Sequence, residues 1–316
     1  MNEDSNAERA QRLSRNEFAA LFRRLKSTAD RGAADRMGAL NFLTAARVTS
    51  AAREVRLGRS VSLARPIETE PAADDPEPAR YEMTGALAAH HLERGLDFAT
   101  DRFAMNVHGD ADSHIDALRH VVFDSKLYND VPVDDVTPRG AISLSIDVIQ
   151  DGIVGRGVLL DIPRLHGRPW LEPGEGVTGE DLRAAEAAQH VRVGQGDVLF
   201  VRVGHSRRRQ ELGPWDVAHA RAGLHPAALA FVAERGVAVL GSDSNNDVAP
   251  SRAEGVGFPV HVLAVNALGI HLLDYLQFES LARVCEQEQR WTFFVVIAPL
   301  RLPGATGSPV NPIAIL

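Results

Sequence analysis

The chain has 316 residues, 45% hydrophobic and 24% charged, with 26 Gly and 17 Pro, a globular composition that excludes a disordered, fibrous or collagen-like protein. Lys and Arg total 34 against 42 Asp and Glu, a formal net charge of −8, which argues against a broad nucleic-acid-binding face. A single cysteine, Cys285, leaves no internal disulfide and no cysteine-rich zinc site. The first dozen residues are polar and are expected to fray. They lack the apolar core of a secretory signal, so a cytoplasmic location is expected. Asn16 to Lys26 sets Phe18, Leu21, Phe22 and Leu25 at helical spacing, predicting a helix whose apolar face packs on the core or on a partner subunit. A second helix is expected over Thr44 to Arg56, stopped at Gly58. Ser60 to Ala64 reads as a short strand, and the three prolines and three acids of Pro71 to Arg80 read as an exposed loop within one domain. The pair His90-His91 reads as a surface feature of a helix, because side chains at i and i+1 diverge.

Beyond that point short apolar runs alternate with turn signals. Ala141 to Val148, Gly157 to Ile162, Val198 to Val203 and Val237 to Leu240 are predicted strands. Helices are predicted over Thr178 to His190, Pro226 to Arg235 and Phe278 to Gln289, the first with Thr178 and Asp181 spaced as a helix-start cap. His205-Ser206-Arg207-Arg208-Arg209 is expected to be a solvated basic turn that pairs with the surplus acid, the alternative being that its arginines bind a substrate carboxylate. Gly241 to Asp247 is either a pocket-shaping loop or a plain polar turn. Phe293 to Leu300, the longest apolar run near the end, is far short of the roughly 20 residues of a membrane span, so no membrane partner is expected. No repeat of 20–50 residues occurs, which removes solenoids and propellers. The fold class is therefore mixed α/β.

The chemistry concentrates in Val107 to Asn129. There His114, Asp116 and His120 form His-x-Asp-x-x-x-His, preceded by Asp110 and Asp112. Imidazole nitrogen and carboxylate oxygen suit Zn, Mn or Fe. In an extended segment His114 and Asp116 face the same way, with Asp112 and Asp110 able to join them. Clustered carboxylates in a folded interior call for a cation. A serine nucleophile and a nucleotide-binding site find no support, for neither a Gly-x-Ser-x-Gly elbow nor a Gly-rich phosphate loop is present.

With these residues in place the chain resembles the cyclase-type metal-dependent amidohydrolases, the family of bacterial kynurenine formamidase and isatin hydrolase. The family pattern is His-x-Gly-Thr-His-x-Asp-x-Pro-x-His, and Ser113 to His120 falls on its second half. Gly157-Val158-Leu159-Leu160-Asp161, Gly196-Asp197 through Arg202, Pro259-Val260-His261, Gly269-Ile270-His271-Leu272-Leu273-Asp274, and the tail from Pro299 to Pro309 follow in the family's order. The resemblance covers roughly Asp35 to Leu316. It implies a swivelling β/β/α fold with a central barrel-like sheet and flanking helices. Residues 1–34 would then be a polar segment with a helix, and 35–316 the hydrolase domain.

Carried over by position, the resemblance implies His114, Asp116, His261 and Asp274 as metal ligands and His120 as the acid/base catalyst. The family's first His falls on Asp110, which is expected to take its place as a metal ligand, the alternative being Asp112. The late family Glu is the shorter Asp274. The cofactor implied is divalent, Mn or Zn, as one or two ions. The activity implied is hydrolysis of a small-molecule amide (aryl formamide, cyclic amide or imide) by metal-activated water. The alternatives are lactone opening or a metal-poor relative that binds a small molecule without turning it over. A homodimer or homotetramer is implied as well.

Overall fold

Successive side chains of Val158, Leu159 and Leu160 go to opposite sides of one sheet. Val158 and Leu160 enter one buried cluster and Leu159 the other. Leu199 and Val201 alternate in the same way with Val198 and Phe200. A strand buried on both faces reads as a continuous Val, Leu and Ile run, which is why these segments are apolar throughout. The computed structural model describes residues 11–85, 98–137, 140–141 and 143–316; the His90-His91 pair lies outside the described residues.

Nine strands form the main sheet: β1 (Ser60–Ser62), β2 (His114–Asp116), β3 (Ile153–Asp161), β4 (Val198–Arg202), β5 (Val239–Ser242), β6 (His271–Asp274), β7 (Thr292–Ile297), β8 (Gly307–Pro309) and β9 (Ile313–Ile315). Their order across the sheet is β1-β9-β7-β3-β4-β5-β6-β2-β8, curled into a half-barrel. The middle of the sheet, β3-β4-β5-β6, is parallel, and antiparallel pairs flank it. Parallel neighbours need crossover connections, and helices supply them. These include α3 (Gly179–Ala188) between β3 and β4, and α4 (His205–Leu212) and α5 (Leu229–Arg235) between β4 and β5. Thr178 caps α3 reciprocally with Asp181, as its spacing predicted. This is the mixed α/β architecture, with a central curled sheet and flanking helices.

The N-terminal helix α1 (Arg15–Thr28) begins at a Ser14–Glu17 capping box and buries Phe18, Leu21 and Leu25. Those side chains belong to the same cluster as Leu263 and Val265, and the Phe18 ring meets Phe123 edge-on at 6.0 Å. The second helix is shorter than predicted, α2 (Ala45–Ala51) followed by one 3-10 turn, Ala52–Glu54.

Three expectations need correction. Among the described residues Ala141 to Val148 does not run as a strand: Gly140–Ala141 pairs with Val136–Thr137, and Ile146–Ile149 is a 3-10 helix. The Ser143 amide and hydroxyl both bond Asp135, and the Ser145 hydroxyl bonds Asp147, so local side-chain bonds replace a ladder. The loop Pro71 to Arg80 is not wholly exposed, because Asp74 and Asp75 are buried and Asp74 pairs with Arg209. It leads into an exposed hairpin, Arg80–Gly85 with Thr100–Ala104, that the sequence reading missed. Arg207, Arg208 and Arg209 sit on a helix, not a turn, and each meets an acid: Glu211, Glu172 and Asp74.

Candidate metal centre

Strand β2 is three residues long, and its alternation does the sorting. Ile115 enters one core beside Leu273 of β6, while His114 pairs in register with Asp274 and, with Asp116, faces the other side. His261 arrives from a helical turn, Pro259–His261, that continues as the π-helix Val262–Leu268. The four side chains close a small ring. His114 Nε2 lies 3.8 Å from Asp116 Oδ1 and 4.0 Å from Asp274 Oδ2. His261 Nε2 lies 3.5 Å from Asp116 Oδ2 and 3.2 Å from Asp274 Oδ2. All four residues are buried, and Asp116 Oδ2 has no hydrogen-bond partner.

Each member is held from behind. His114 Nδ1 donates to the Asp112 carbonyl at 2.8 Å, which leaves Nε2 directed at the carboxylates. His261 Nδ1 donates to Asp247 at 2.6 Å, and Asp247 also accepts the backbone N–H groups of Val260 and His261. Asp274 accepts from the side chains of Asn245 and Asn246 and from the Asn246 backbone. The supports of His261 and Asp274 come from Ser242 to Asp247, a polar run that is buried throughout. The polar loop after β5 therefore shapes the site. Such carboxylate–imidazole pairs behind the donors are the usual outer layer of a metal site.

The charges respond to this crowding. Burial alone would raise the pKa of Asp116, but His120, His108, His114 and His261 outweigh it and hold the carboxyl well below its usual range. Burial would also keep His261 neutral, yet Asp274 and Asp247 push its pKa well above the usual imidazole value. His120 goes the other way. Burial is the largest influence and lowers it to about 4 against the opposing pull of Asp116, so its imidazole is neutral at pH 7.

Of the residues expected at the site, His114, Asp116, His261 and Asp274 converge as described, and His120 stands beside them on the cavity wall. Asp112 turns away, with Oδ1 accepting the Glu68 backbone N–H. Neither Asp110 nor His261 belongs to the two clusters of mutually close metal-type donors, one of His114, Asp116 and Asp274 and one of His108, Asp116 and His120, but His261 reaches Asp116 and Asp274 at 3.5 and 3.2 Å. Asp110 Oδ1 accepts the Tyr275 hydroxyl at 2.8 Å.

His108 was missed by sequence reasoning. Its Nδ1 is 2.8 Å from Asp116 Oδ1, its Nε2 is 2.9 Å from the Thr306 hydroxyl, and its ring stacks on His120 at 3.7 Å. A Cβ at Gly307 would stand 2.6 Å from the His108 ring, so the Gly in that tail makes room for it. The available signal was the histidine itself, six residues before His114. Asp247 was missed as a named residue for want of any motif.

The donors fit a divalent ion: two imidazole nitrogens and two carboxylates, with neighbouring nitrogen and oxygen atoms 3.2–4.0 Å apart around the ring and one carboxylate oxygen buried without a hydrogen-bond partner. They open on a cavity of about 520 Å³. Beyond the polar groups of the site, its lining includes the apolar side chains of Val121, Val122, Phe123, Val256 and Phe258. No helix among the described residues is long and apolar enough to cross a membrane.

The model of the Cyclase family matches residues 60–246. A crystal structure of a novel cyclase is 30% identical, covers 93% of this chain and 99% of its own, and superposes with a TM-score of 0.84. Isatin hydrolase A from Labrenzia aggregata, bound to benzyl benzoate, is 22% identical, with 81% and 93% coverage and a TM-score of 0.58. An isatin hydrolase bound to the product analogue thioisatinate is 18% identical, with 86% and 95% coverage and a TM-score of 0.56. No curated protein matches significantly.

Proposed function

The chain belongs to the Cyclase family, and from that premise we propose that it is a metal-dependent hydrolase of a small-molecule amide: an aryl formamide, a cyclic amide or an imide. The observation that carries the reading is the ring of His114, Asp116, His261 and Asp274 around an unpaired buried carboxylate oxygen. In this proposal those four residues hold one ion, Mn or Zn. Asp110 is left out of the ligand set because Tyr275 holds it apart. When bound, the ion supplies a Lewis acid for the carbonyl and lowers the pKa of a water.

The chain's own residues do the rest. His120 is neutral at pH 7 and faces the cavity, so its imidazole can take a proton from the attacking water and pass it to the leaving nitrogen. His108, anchored at one ring nitrogen by Thr306 and at the other by Asp116, lies flat against His120 and fixes its orientation. The apolar walls exclude bulk water and accept a compact organic body. Hydrolysis of a cyclic amide is in keeping with the isatin hydrolases that share the fold. A cytoplasmic homodimer or homotetramer is proposed with this reading, to be checked by light scattering.

The test is metal content by elemental mass spectrometry, followed by turnover of formamides, cyclic imides, lactams and lactones. Stoichiometric Mn or Zn that is lost in His114→Ala, with hydrolysis of at least one amide, is the result expected. A protein that takes up no metal after reconstitution with Mn and Zn refutes the reading and favours a binding protein. Turnover of lactones alone would move the reaction class from amide to ester.

A further inference from the structure

Asp110 is the carboxylate left over. Among the described residues lining the cavity, the acids are Asp110 and Asp274, and Asp274 is taken up by His114, His261 and the two asparagines. Asp116 and Asp274 together match the charge of one divalent ion, so the charge of Asp110 is left uncompensated by it. No Lys or Arg lines the cavity among the described residues. One oxygen of Asp110 is pinned by the Tyr275 hydroxyl at 2.8 Å, and Tyr275 is fully buried, so the carboxylate is held in place at the cavity wall. No other hydrogen bond to Asp110 is found among the described residues, which leaves Oδ2 to face a ligand. The same cavity carries Val121, Val122, Phe123, Val256 and Phe258, a surface suited to an aromatic or aliphatic body.

We propose that Asp110, positioned by Tyr275, is the substrate-recognition carboxylate of this cavity and selects compact apolar compounds that carry an ammonium group or a strong N–H donor. A pocket that keeps one carboxylate beyond those matched to the ion, with no Lys or Arg in its described lining, favours such ligands over neutral isosteres, because a charge-assisted hydrogen bond in a partly dehydrated site exceeds a neutral one. This deepens the hydrolase reading and rests on it only for the scissile amide. Recognition of the amine end follows from the cavity itself. The substrate class is then an amine-bearing amide, with the amine separated from the carbonyl by the distance between Asp110 and the metal donors.

The test is direct binding by calorimetry at pH 7, using the metal-loaded protein as purified with benzylamine and its neutral isostere benzyl alcohol as probes. Benzylamine is expected to bind at least about tenfold more tightly than benzyl alcohol. Asp110→Asn should remove that preference, weakening benzylamine by about 10–100-fold while leaving benzyl alcohol unchanged. Metal content of Asp110→Asn should equal that of wild type. Equal binding of the two probes to wild type overturns the proposal without need of a variant. Loss of metal in Asp110→Asn overturns it too, and returns Asp110 to the ligand set. A benzylamine preference that depends on Asp110, in a protein that hydrolyses no amide, supports the recognition site and sinks the hydrolase reading alone.

Discussion

Replacing Asp247 with Asn removes one charge from behind His261 and little else. Asp247 accepts three hydrogen bonds: His261 Nδ1 at 2.6 Å, Val260 N at 2.7 Å and His261 N at 3.0 Å. An Asn side chain has the same shape, but one of its two ends is a donor, so at least one of these bonds is lost. The bond to His261 would also change from a charged to a neutral acceptor. Charge-assisted bonds contribute about 1.5–3 kcal/mol and neutral ones about 0.5–1.5 kcal/mol, a difference of about 1–2 kcal/mol. That converts to a roughly five- to thirtyfold loss of affinity, which overlaps the lower part of the about 10–100-fold typical of outer-layer partners of metal-bound His. Asp247→Asn is therefore expected to weaken Mn or Zn binding by about tenfold to thirtyfold. The assay is competition with a colorimetric chelator, with circular dichroism to establish that the fold persists. Unchanged affinity in a folded variant would refute the reasoning, because His261 would then be no ligand or would need no support.

The other predictions are smaller in scope. His120→Ala should keep its metal while hydrolysis falls by about 10²-fold or more; a fully active variant removes the acid/base assignment. Arg202 is buried and bonds Asp161 and Glu279 at once, so Arg202→Ala strands a buried carboxylate. It should lower stability by about 3–5 kcal/mol in urea unfolding, and a loss under about 1 kcal/mol would show that the pair contributes little. Burial pushes the Cys285 thiol up to about 12, leaving almost no thiolate at pH 8. Ellman's reagent should therefore label it only after unfolding. Rapid labelling of the native protein would contradict the burial.

Much of this site was legible because its chemistry is local in sequence. His114 and Asp116 share a face through period-two geometry, and Thr178 with Asp181 announces the start of α3. What was illegible depends on side-chain bonds and packing that no periodic pattern announces. The run Val262 to Leu268 has no polar face to set a period, and it folds as a π-helix buried all round. Ala141 to Val148 reads as a strand until Asp135 and Asp147 capture its serines. His108 lies six residues before His114, and only the space above Gly307 shows that its ring reaches Asp116. Asp110 occupies the expected ligand position in the line of residues, yet Tyr275 holds its carboxylate elsewhere.

The place of β2 in the sheet has a consequence for how the chain folds as it is made. Its neighbours on either side, β6 and β8, are both synthesised long after it; the Ser113 hydroxyl bonds the Tyr275 carbonyl 162 residues further on. At roughly 5–20 residues per second, about 10–30 s pass between the two. Throughout that interval a three-residue strand with two polar side chains has no ladder to join, and closing so long a loop is slow. The ion-binding half-site around His114 and Asp116 therefore forms last, so the nascent chain completes its sheet and its metal centre in one late step.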